Sequence, residues 1–254
     1  GGPPRGRGRP ALGAAGEPVD EGGADNPAFW DRIYHLQGRH GRRSYEWYGL
    51  GFRELRGALE DVLPRDAGVL VVGSGDSNLS ADLDSAGWRV TSLDFSKEVT
   101  NHMRQRYPGL DFVTQDARNM TFEDGSFGGA VDKGLSDCIG SPAARRVYFA
   151  ELHRVLRAPG GALVVVSQRV LTVRRDLGRG WRCEPQRELY GPLFIEDSPN
   201  APPKPQPGTD GQIPYYLLVC QSELLGEGTA PGGPEEGDEE EEVDEDAEDD
   251  LGGD

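Results

Sequence analysis

The chain has 254 residues and a formal net charge of −17, because 27 Lys and Arg stand against 44 Asp and Glu. Fourteen of the acids lie in residues 235–254, which contain no base, so the other residues carry a net charge of only −3. This balance excludes broad binding to duplex nucleic acid, since no basic surplus is available to displace counterions. No apolar run approaches the roughly 20 residues that span a bilayer, so we expect a soluble protein without membrane association.

Glycine and proline divide the chain into regions. They are concentrated at the start and in two later stretches, where too little apolar surface is available to offset chain entropy. We therefore predict a disordered Gly/Pro/Arg-rich leader over 1–25 and a disordered acidic tail over 226–254. Between them, residues 26–225 are enough for one domain, with a Pro-rich loop insertion at 197–211.

The three cysteines bear on the cellular compartment. Cys138, Cys183 and Cys220 are an odd number at wide spacing, which resembles neither a disulfide framework nor a zinc site. We therefore predict no metal site and a reducing compartment, the cytoplasm. Arginines in residues 5–9 are also compatible with the remnant of an organelle transit peptide, which is the alternative to a cytoplasmic location.

The predicted domain begins with helices and continues with alternating strands and helices. Phe29, Ile33 and Leu36 recur at helical spacing, and a second helical pattern ends before Pro64. The continuous β-branched run at 69–72 then predicts a strand buried on both faces. Further extended segments follow at 89–93, 111–114, 127–131 and 162–166.

Two helices between these strands have clear starts. Ser96 is placed as an N-cap before a helix that ends by Pro108, and Ser141 precedes a proline at the first helical position. Beyond Val170 the helical periodicity fades, and segments 181–190 and 215–220 predict two late strands. The fold class is therefore α/β, with a mostly parallel sheet, an antiparallel C-terminal strand and helices on both faces.

The candidate ligand site lies where the first three strands end. Ligands of open α/β sheets bind outside the carboxyl ends of the strands. Gly73 and Gly75 follow the first strand and let the backbone turn tightly beside a ligand. Asp94 ends the second strand, where a carboxylate can accept hydrogen bonds from a ribose diol, although it could also be an ordinary acid at a helix start. Asp116, just after the third strand, is placed for an adenine amino group or for a turn.

The pattern favours one adenosine cofactor over others. A dinucleotide fingerprint requires a third glycine where this chain has Asn78, and no Walker-type lysine follows the loop. S-adenosylmethionine fits better, because it has no pyrophosphate and presents a carboxylate, a ribose and an adenine.

These segments carry a resemblance to a known family. The segments at 70–80, 92–96, 115–118, 131–134 and 152–161 resemble the ordered motifs of seven-strand S-adenosylmethionine-dependent methyltransferases. The Phe-Trp-Asp-Arg-Ile-Tyr segment ending at Tyr34, the Tyr-Glu-Trp segment ending at Trp47 and the Asp-Lys-Gly element with Asp137 behind it resemble one methyltransferase-like branch. That branch includes lysine methyltransferases of translation elongation factor 1A and of citrate synthase.

The resemblance implies a Rossmann-like seven-strand methyltransferase fold and a set of cofactor contacts. Aromatic side chains of the first helix and of the Tyr-x-Trp element would close over the cofactor, where rings near a sulfonium also attract its charge. Packing of a helix face is the alternative explanation for Trp30 and Tyr34. The implied contact residues are Trp30, Tyr34, Trp47, Gly73, Gly75, Asp94, Phe95, Asp116, Ala117 and Lys133.

The chain departs from the branch in several places. Ser74 stands where Cys is common, Asp76 where Asn is common, and Leu135-Ser136 where Thr-Leu is usual. Asp76 would repel the methionine carboxylate, and the Pro-rich insertion lies where the family's substrate surface would be.

The resulting hypothesis is methyl transfer to a lysine of a protein, such as an elongation factor 1A-like translation factor. Such displacement depends chiefly on alignment, so no catalytic base is assigned. Asp132 and Asp137 are candidates for orienting the amine, or are structural caps. The alternatives are a small-molecule or RNA methyltransferase on the same fold, or a non-catalytic adaptor that binds S-adenosylmethionine. The oligomeric state is left open.

Overall fold

A computed structural model describes residues 23–39, 44–190 and 214–225 of the chain. Most of the predicted leader, the Pro-rich insertion and the acidic tail lie outside these described residues, so their disorder stays a prediction. Across the described ranges, no helix is long and apolar enough to cross a membrane.

Helices and strands alternate along the described chain. The helices are α1 (Pro27–Arg39), α2 (Phe52–Val62), α3 (Leu79–Ser85), α4 (Lys97–Arg106), α5 (Leu135–Cys138), α6 (Pro142–Val155) and α7 (Val170–Leu177). The strands are β1 (Val69–Val72), β2 (Val90–Asp94), β3 (Asp111–Thr114), β4 (Gly129–Lys133), β5 (Ala162–Ser167), β6 (Trp181–Cys183), β7 (Arg187–Tyr190) and β8 (Pro214–Ser222).

The strands form one sheet in the order β3-β2-β1-β4-β5-β8-β6, with β7 also paired to β8. Strands β1 to β5 pair in parallel, whereas β8 runs antiparallel to β5, β6 and β7. The predicted fold class is therefore confirmed. Because β1 pairs with β2 on one side and β4 on the other, the strand order reverses there, and this switch point opens a crevice at the carboxyl ends.

The alternation of side chains along β1 explains its unbroken apolar sequence. Leu70 and Val72 pack on one face, in the core cluster that includes side chains of α6 and α7. Val69 and Val71 pack on the other face, with side chains of α2 and α3. A strand covered on both faces has no polar side, so the sequence shows a continuous apolar run.

Both predicted N-caps are present. The Ser96 hydroxyl accepts the N–H of Val99 at the start of α4, and the Ser141 hydroxyl accepts the N–H of Ala144 at the start of α6. Each bond satisfies a backbone donor that the first helical turn leaves without an intrahelical partner.

Two features near the C-terminus differ from the prediction. The chain is helical after residue 169, as α7, whose Val173 and Leu177 are buried against the sheet. The single strand predicted over 181–190 is two short strands along the same edge of β8. The break at 184–186 contains Pro185, which has no N–H to donate to a strand partner.

The cysteine prediction was wrong for one pair. Cys183 on β6 and Cys220 on β8 form a disulfide. They are 37 residues apart along the chain, but the antiparallel register places them directly opposite each other. Spacing in the sequence does not reveal such a pairing, because it depends on which strand of the sheet the last segment joins. Cys138 is a free thiol.

Candidate functional site

A cleft opens at the carboxyl ends of β1, β2 and β4, where the strand order reverses. It contains about 650 Å³ of empty space, part of it open to solvent. Nine of the ten predicted contact residues line it: Trp30, Tyr34, Trp47, Gly73, Asp94, Phe95, Asp116, Ala117 and Lys133.

The glycine loop after β1 forms the floor of the cleft. Gly73 has φ +58°, and a Cβ there would lie 2.9 Å from the Cβ of Leu135. Gly75 has φ +53° and does not line the cleft, but a Cβ there would lie 2.9 Å from the hydroxyl oxygen of Tyr34. Both the left-handed backbone and the close packing therefore require glycine at these two positions.

Asp94 lies at the end of β2 and is 5% exposed. Its Oδ2 accepts the N–H of Gly75 at 3.0 Å, and its Oδ1 accepts the N–H of Ser96 at 3.0 Å. Burial raises the pKa of this carboxyl to about 6, against the lowering effect of the two backbone hydrogen bonds. The two interpretations of Asp94 from sequence are thus compatible, because it lines the cleft and also orders the start of α4.

Aromatic rings form one wall of the cleft. Trp30 and Tyr34 come from successive turns of α1, and their ring centroids are 6.0 Å apart. Trp47 reaches the same place from the segment before α2, with its ring 5.9 Å from that of Trp30. The indole N–H of Trp30 donates to the carbonyl of Ala24 at 2.9 Å, which draws the segment before α1 into the wall.

The far end of the cleft is charged. Arg118 donates to both carboxylate oxygens of Asp116, at 3.0 and 2.8 Å, and lies 3.5 Å from a carboxylate oxygen of Asp25. Burial alone would raise the pKa of Asp116, but the hydrogen bonds from Arg118 lower it. Asp116 is therefore a paired carboxylate that lines the cleft and also accepts the backbone N–H of Arg118 in a turn, so its predicted adenine contact stays a prediction.

The two carboxylates considered for orienting an amine have structural partners. Asp132 is fully buried and accepts the backbone N–H of Leu135 at 2.8 Å and the hydroxyl of Tyr148 at 3.0 Å, so it caps α5. Burial raises the pKa of Asp132 to about 6. Asp137 accepts the hydroxyl of Tyr48 at 2.6 Å and the N–H of Gln168 at 2.8 Å. Of the two interpretations made from sequence, this geometry favours structural caps.

Sequence reasoning missed several cleft residues. Cys138 and Ile139 come from the short helix α5 and the residue after it, which no pattern in the sequence indicated. Burial raises the pKa of the Cys138 thiol to about 12, so it is a protonated side chain of the wall and not a nucleophile. Arg118 lies in the motif segment 115–118 but was not assigned a contact, and Asp25, at the end of the predicted leader, also lines the cleft. Asp76 is buried but does not line the cleft.

The cleft residues fit an adenosine cofactor with a positively charged sulfur. The buried carboxylate at the second strand end can accept hydrogen bonds from a ribose, and the three aromatic rings can pack beside a positively charged sulfur. Among the described residues, no group of three or more His, Cys, Asp or Glu side chains is arranged to hold a metal ion.

Comparison with known proteins identifies the class. Residues 69–161 match the family described as a methyltransferase domain. A TehB-like S-adenosylmethionine-dependent methyltransferase from Corynebacterium glutamicum superposes with a TM-score of 0.51 and 19% identity, over 78% of this chain and all of that one. A 1,6-didemethyltoxoflavin-N1-methyltransferase from Burkholderia thailandensis gives 0.54 and 18%, over 78% and 87%. Residues 69–161 thus match a methyltransferase-domain family, and the chain shares the fold of these two solved methyltransferases.

Two curated relatives support the methyltransferase-like branch that the motifs resemble. The chain is 39% identical over 148 residues to the eEF1A lysine and N-terminal methyltransferase of Danio rerio, and 34% identical over 154 residues to EEF1A lysine methyltransferase 4 of Mus musculus. Each match covers 55% of this chain, but only 21% and 59% of those proteins. The resemblance inferred from the motifs is confirmed.

Proposed function

We propose that the cleft binds S-adenosylmethionine through the residues that line it. Asp94 would accept the ribose hydroxyls, the Gly73 turn would admit the methionine part, and Trp30 and Trp47 would cover it. When bound, the cofactor supplies a methyl group on a positively charged sulfur, which is an excellent leaving group. The observation that carries the proposal is the buried carboxylate of Asp94, which faces the same cleft as the three aromatic rings.

The contribution of this chain to the transfer would be alignment and the exclusion of water. With substrate bound, the aromatic wall would limit the access of solvent to the cleft. A desolvated environment lowers the pKa of an incoming lysine ammonium, which must lose its proton before it can react. Asp132 would act at a distance, because it holds α5 and thereby Leu135 against the glycine turn.

We propose that the methyl acceptor is a lysine side chain of a protein, with a translation elongation factor 1A-like protein as the first candidate. The support is the eEF1A lysine methylation for which the two similar proteins from Danio rerio and Mus musculus are named. Cytoplasmic localisation is part of this proposal, since a translation factor is methylated where it works. Imaging of the tagged full-length protein would test that part, and a signal confined to an organelle would contradict it.

Transfer is tested with radiolabelled S-adenosylmethionine, purified elongation factor 1A and a cell extract. Label on the elongation factor, mapped to a lysine by mass spectrometry, is the expected result. Label only in RNA or metabolites would indicate another acceptor on the same fold. Cofactor binding without transfer to any fraction would indicate an adaptor instead of an enzyme.

Cofactor binding is tested by calorimetric titration with S-adenosylhomocysteine. We expect the substitution Asp94→Ala to abolish measurable binding, whereas Asp84→Ala, which removes an exposed acid of α3, should leave the affinity unchanged. Wild-type protein that shows no binding, or an Asp94→Ala variant with normal affinity, would overturn the assignment.

A further inference from the structure

The segment between α1 and α2 is attached to the loop after β1 through the carboxylate of Glu46. We define the connector as residues 44–50, which carry the cleft residue Trp47. The Glu46 side chain is 23% exposed, does not line the cleft and contacts the loop after β1. Its Oε1 accepts the N–H of Asn78 at 2.7 Å, and its Oε2 accepts the hydroxyl of Ser77 at 2.6 Å. The connector is therefore bonded directly to the loop that forms the cleft floor.

Lys133 completes this attachment from the end of β4. Its side chain is 6% exposed, and its Nζ forms an ion pair with the Glu46 carboxylate. The same ammonium donates to the carbonyl of Leu50 at 2.8 Å and to the hydroxyl of Ser77 at 3.2 Å. An ammonium has three N–H donors, and three acceptors are in place among the described residues.

Lys133 is a buried cation, and the Glu46 carboxylate is its ion-pair partner. Burial lowers the pKa of the Lys133 ammonium, while the neighbouring Glu46 carboxylate opposes that shift. A buried ammonium without its partner is strongly unfavourable, so removal of Glu46 alone affects the connector more than removal of the whole pair.

We propose that Glu46 and Lys133 form a latch that fastens the connector over the cleft. Glu46 is then a positioning residue that acts on the cofactor only through Trp47, and Lys133 holds the connector rather than the cofactor. The link to cofactor affinity rests on the proposed function, whereas the latch itself is a property of the protein without ligand. This differs from the role that family resemblance implied for Lys133, which was a direct contact with the cofactor.

The latch is tested first on the full-length protein without ligand, by hydrogen exchange of peptides that cover residues 44–50. We expect Glu46→Gln and Lys133→Met each to speed exchange of the connector at least tenfold, and the double variant to be no faster than Glu46→Gln. The control is the exposed pair Arg56 and Glu60 on α2, whose replacement by Gln should leave the connector unchanged. Unchanged protection in Glu46→Gln would overturn the latch.

A titration with S-adenosylhomocysteine then tests whether Lys133 only holds the connector or also contacts the cofactor. We expect each single variant to bind about tenfold more weakly, and the double variant to bind no more weakly than Glu46→Gln, because groups in one network are not additive. A further tenfold loss when Lys133→Met is added to Glu46→Gln would show a direct contact and overturn the role assigned to Lys133. Wild-type protein that fails to bind would refute the proposed function, and the hydrogen exchange would still decide the latch.

Discussion

Asp94 combines a burial that favours its neutral form with a proposed role that needs its charge. Because burial raises its pKa to about 6 from the ordinary value of 3.8, ionisation of Asp94 lowers the stability of the folded state. The stabilising contribution of the neutral carboxyl is fully present below pH 3.8 and is lost as the pH rises through 6. The proposed ribose contact has the opposite dependence, since the carboxylate is the better acceptor.

Cofactor affinity is therefore expected to rise with pH across the pKa of Asp94. If only the ionised form binds, S-adenosylhomocysteine should bind about tenfold more weakly at pH 5 than at pH 8, since each pKa unit corresponds to about 1.4 kcal/mol. Calorimetric titrations between pH 5 and pH 8 measure this change in affinity. The variant Asp94→Asn should bind weakly at every pH, and a wild-type affinity that does not change between pH 5 and 8 would contradict the prediction. A slope that persists in Asp94→Asn would point to Asp132, whose pKa is also about 6.

Gly73 combines a left-handed backbone conformation with close packing against Leu135, which also lines the cleft. An alanine there would have to adopt a left-handed conformation, which costs roughly 1–2 kcal/mol, and would press on the Leu135 side chain. We expect Gly73→Ala to weaken S-adenosylhomocysteine binding at least tenfold. Gly109→Ala, at an exposed turn with no atom within 4 Å of the added Cβ, is the matched control and should bind normally. Equal affinities of the two variants would show that the turn is not part of the site.

At the scale of elements, helix α6 is central to one face of the sheet. Its Tyr148, Phe149 and Leu152 are fully buried, and its first turn depends on the Ser141 cap. The packing of the helix depends on apolar contacts, while its starting point depends on one hydroxyl.

Removal of the Ser141 cap should cost stability without changing the site. We expect Ser141→Ala to lower the free energy of unfolding by about 1 kcal/mol, because one backbone N–H of the first turn loses its acceptor. Ser141→Asp, which keeps an acceptor at the N-cap, should remain close to wild type. Urea unfolding followed by circular dichroism compares the three proteins, and an equal loss in both variants would assign the effect to something other than the cap.

For the whole molecule, the net charge of −17 resides mostly in residues 235–254, whereas the proposed contacts lie between Trp30 and Lys133. Solvent and salt screen charges that are separated by more than about 10 Å at 0.1 M ionic strength. The tail is accordingly expected to influence the choice of a protein partner and not the cofactor site.

Deletion of residues 235–254 tests this separation. We expect the affinity for S-adenosylhomocysteine to change less than twofold, while methylation of a basic acceptor protein should fall and lose its dependence on salt. Calorimetry and transfer assays at low and high salt measure the two effects. A tenfold loss of cofactor affinity, about 1.4 kcal/mol, would place the tail in the site.

The sequence by itself determined the alternation of strands and helices and placed the glycine loop, Asp94 and Asp116 at the carboxyl ends of the first three strands. Those features depend on local rules: a doubly buried strand is apolar throughout, a helix start needs a cap such as Ser96, and a turn such as that at Gly73 needs glycine. Each of these signals lies within a few residues of the element that it marks.

Only the tertiary structure decided which distant groups meet. The pairing of Cys183 with Cys220 depends on strand register, and the attachment of Glu46 to Lys133 depends on the position of a strand end. These contacts span 37 and 87 residues of the chain. Local patterns carry no information about such distances, because the partners become neighbours only when the sheet assembles. The sequence thus located the site, and the packing of the connector and strand ends determined which of its charged residues are available to a ligand.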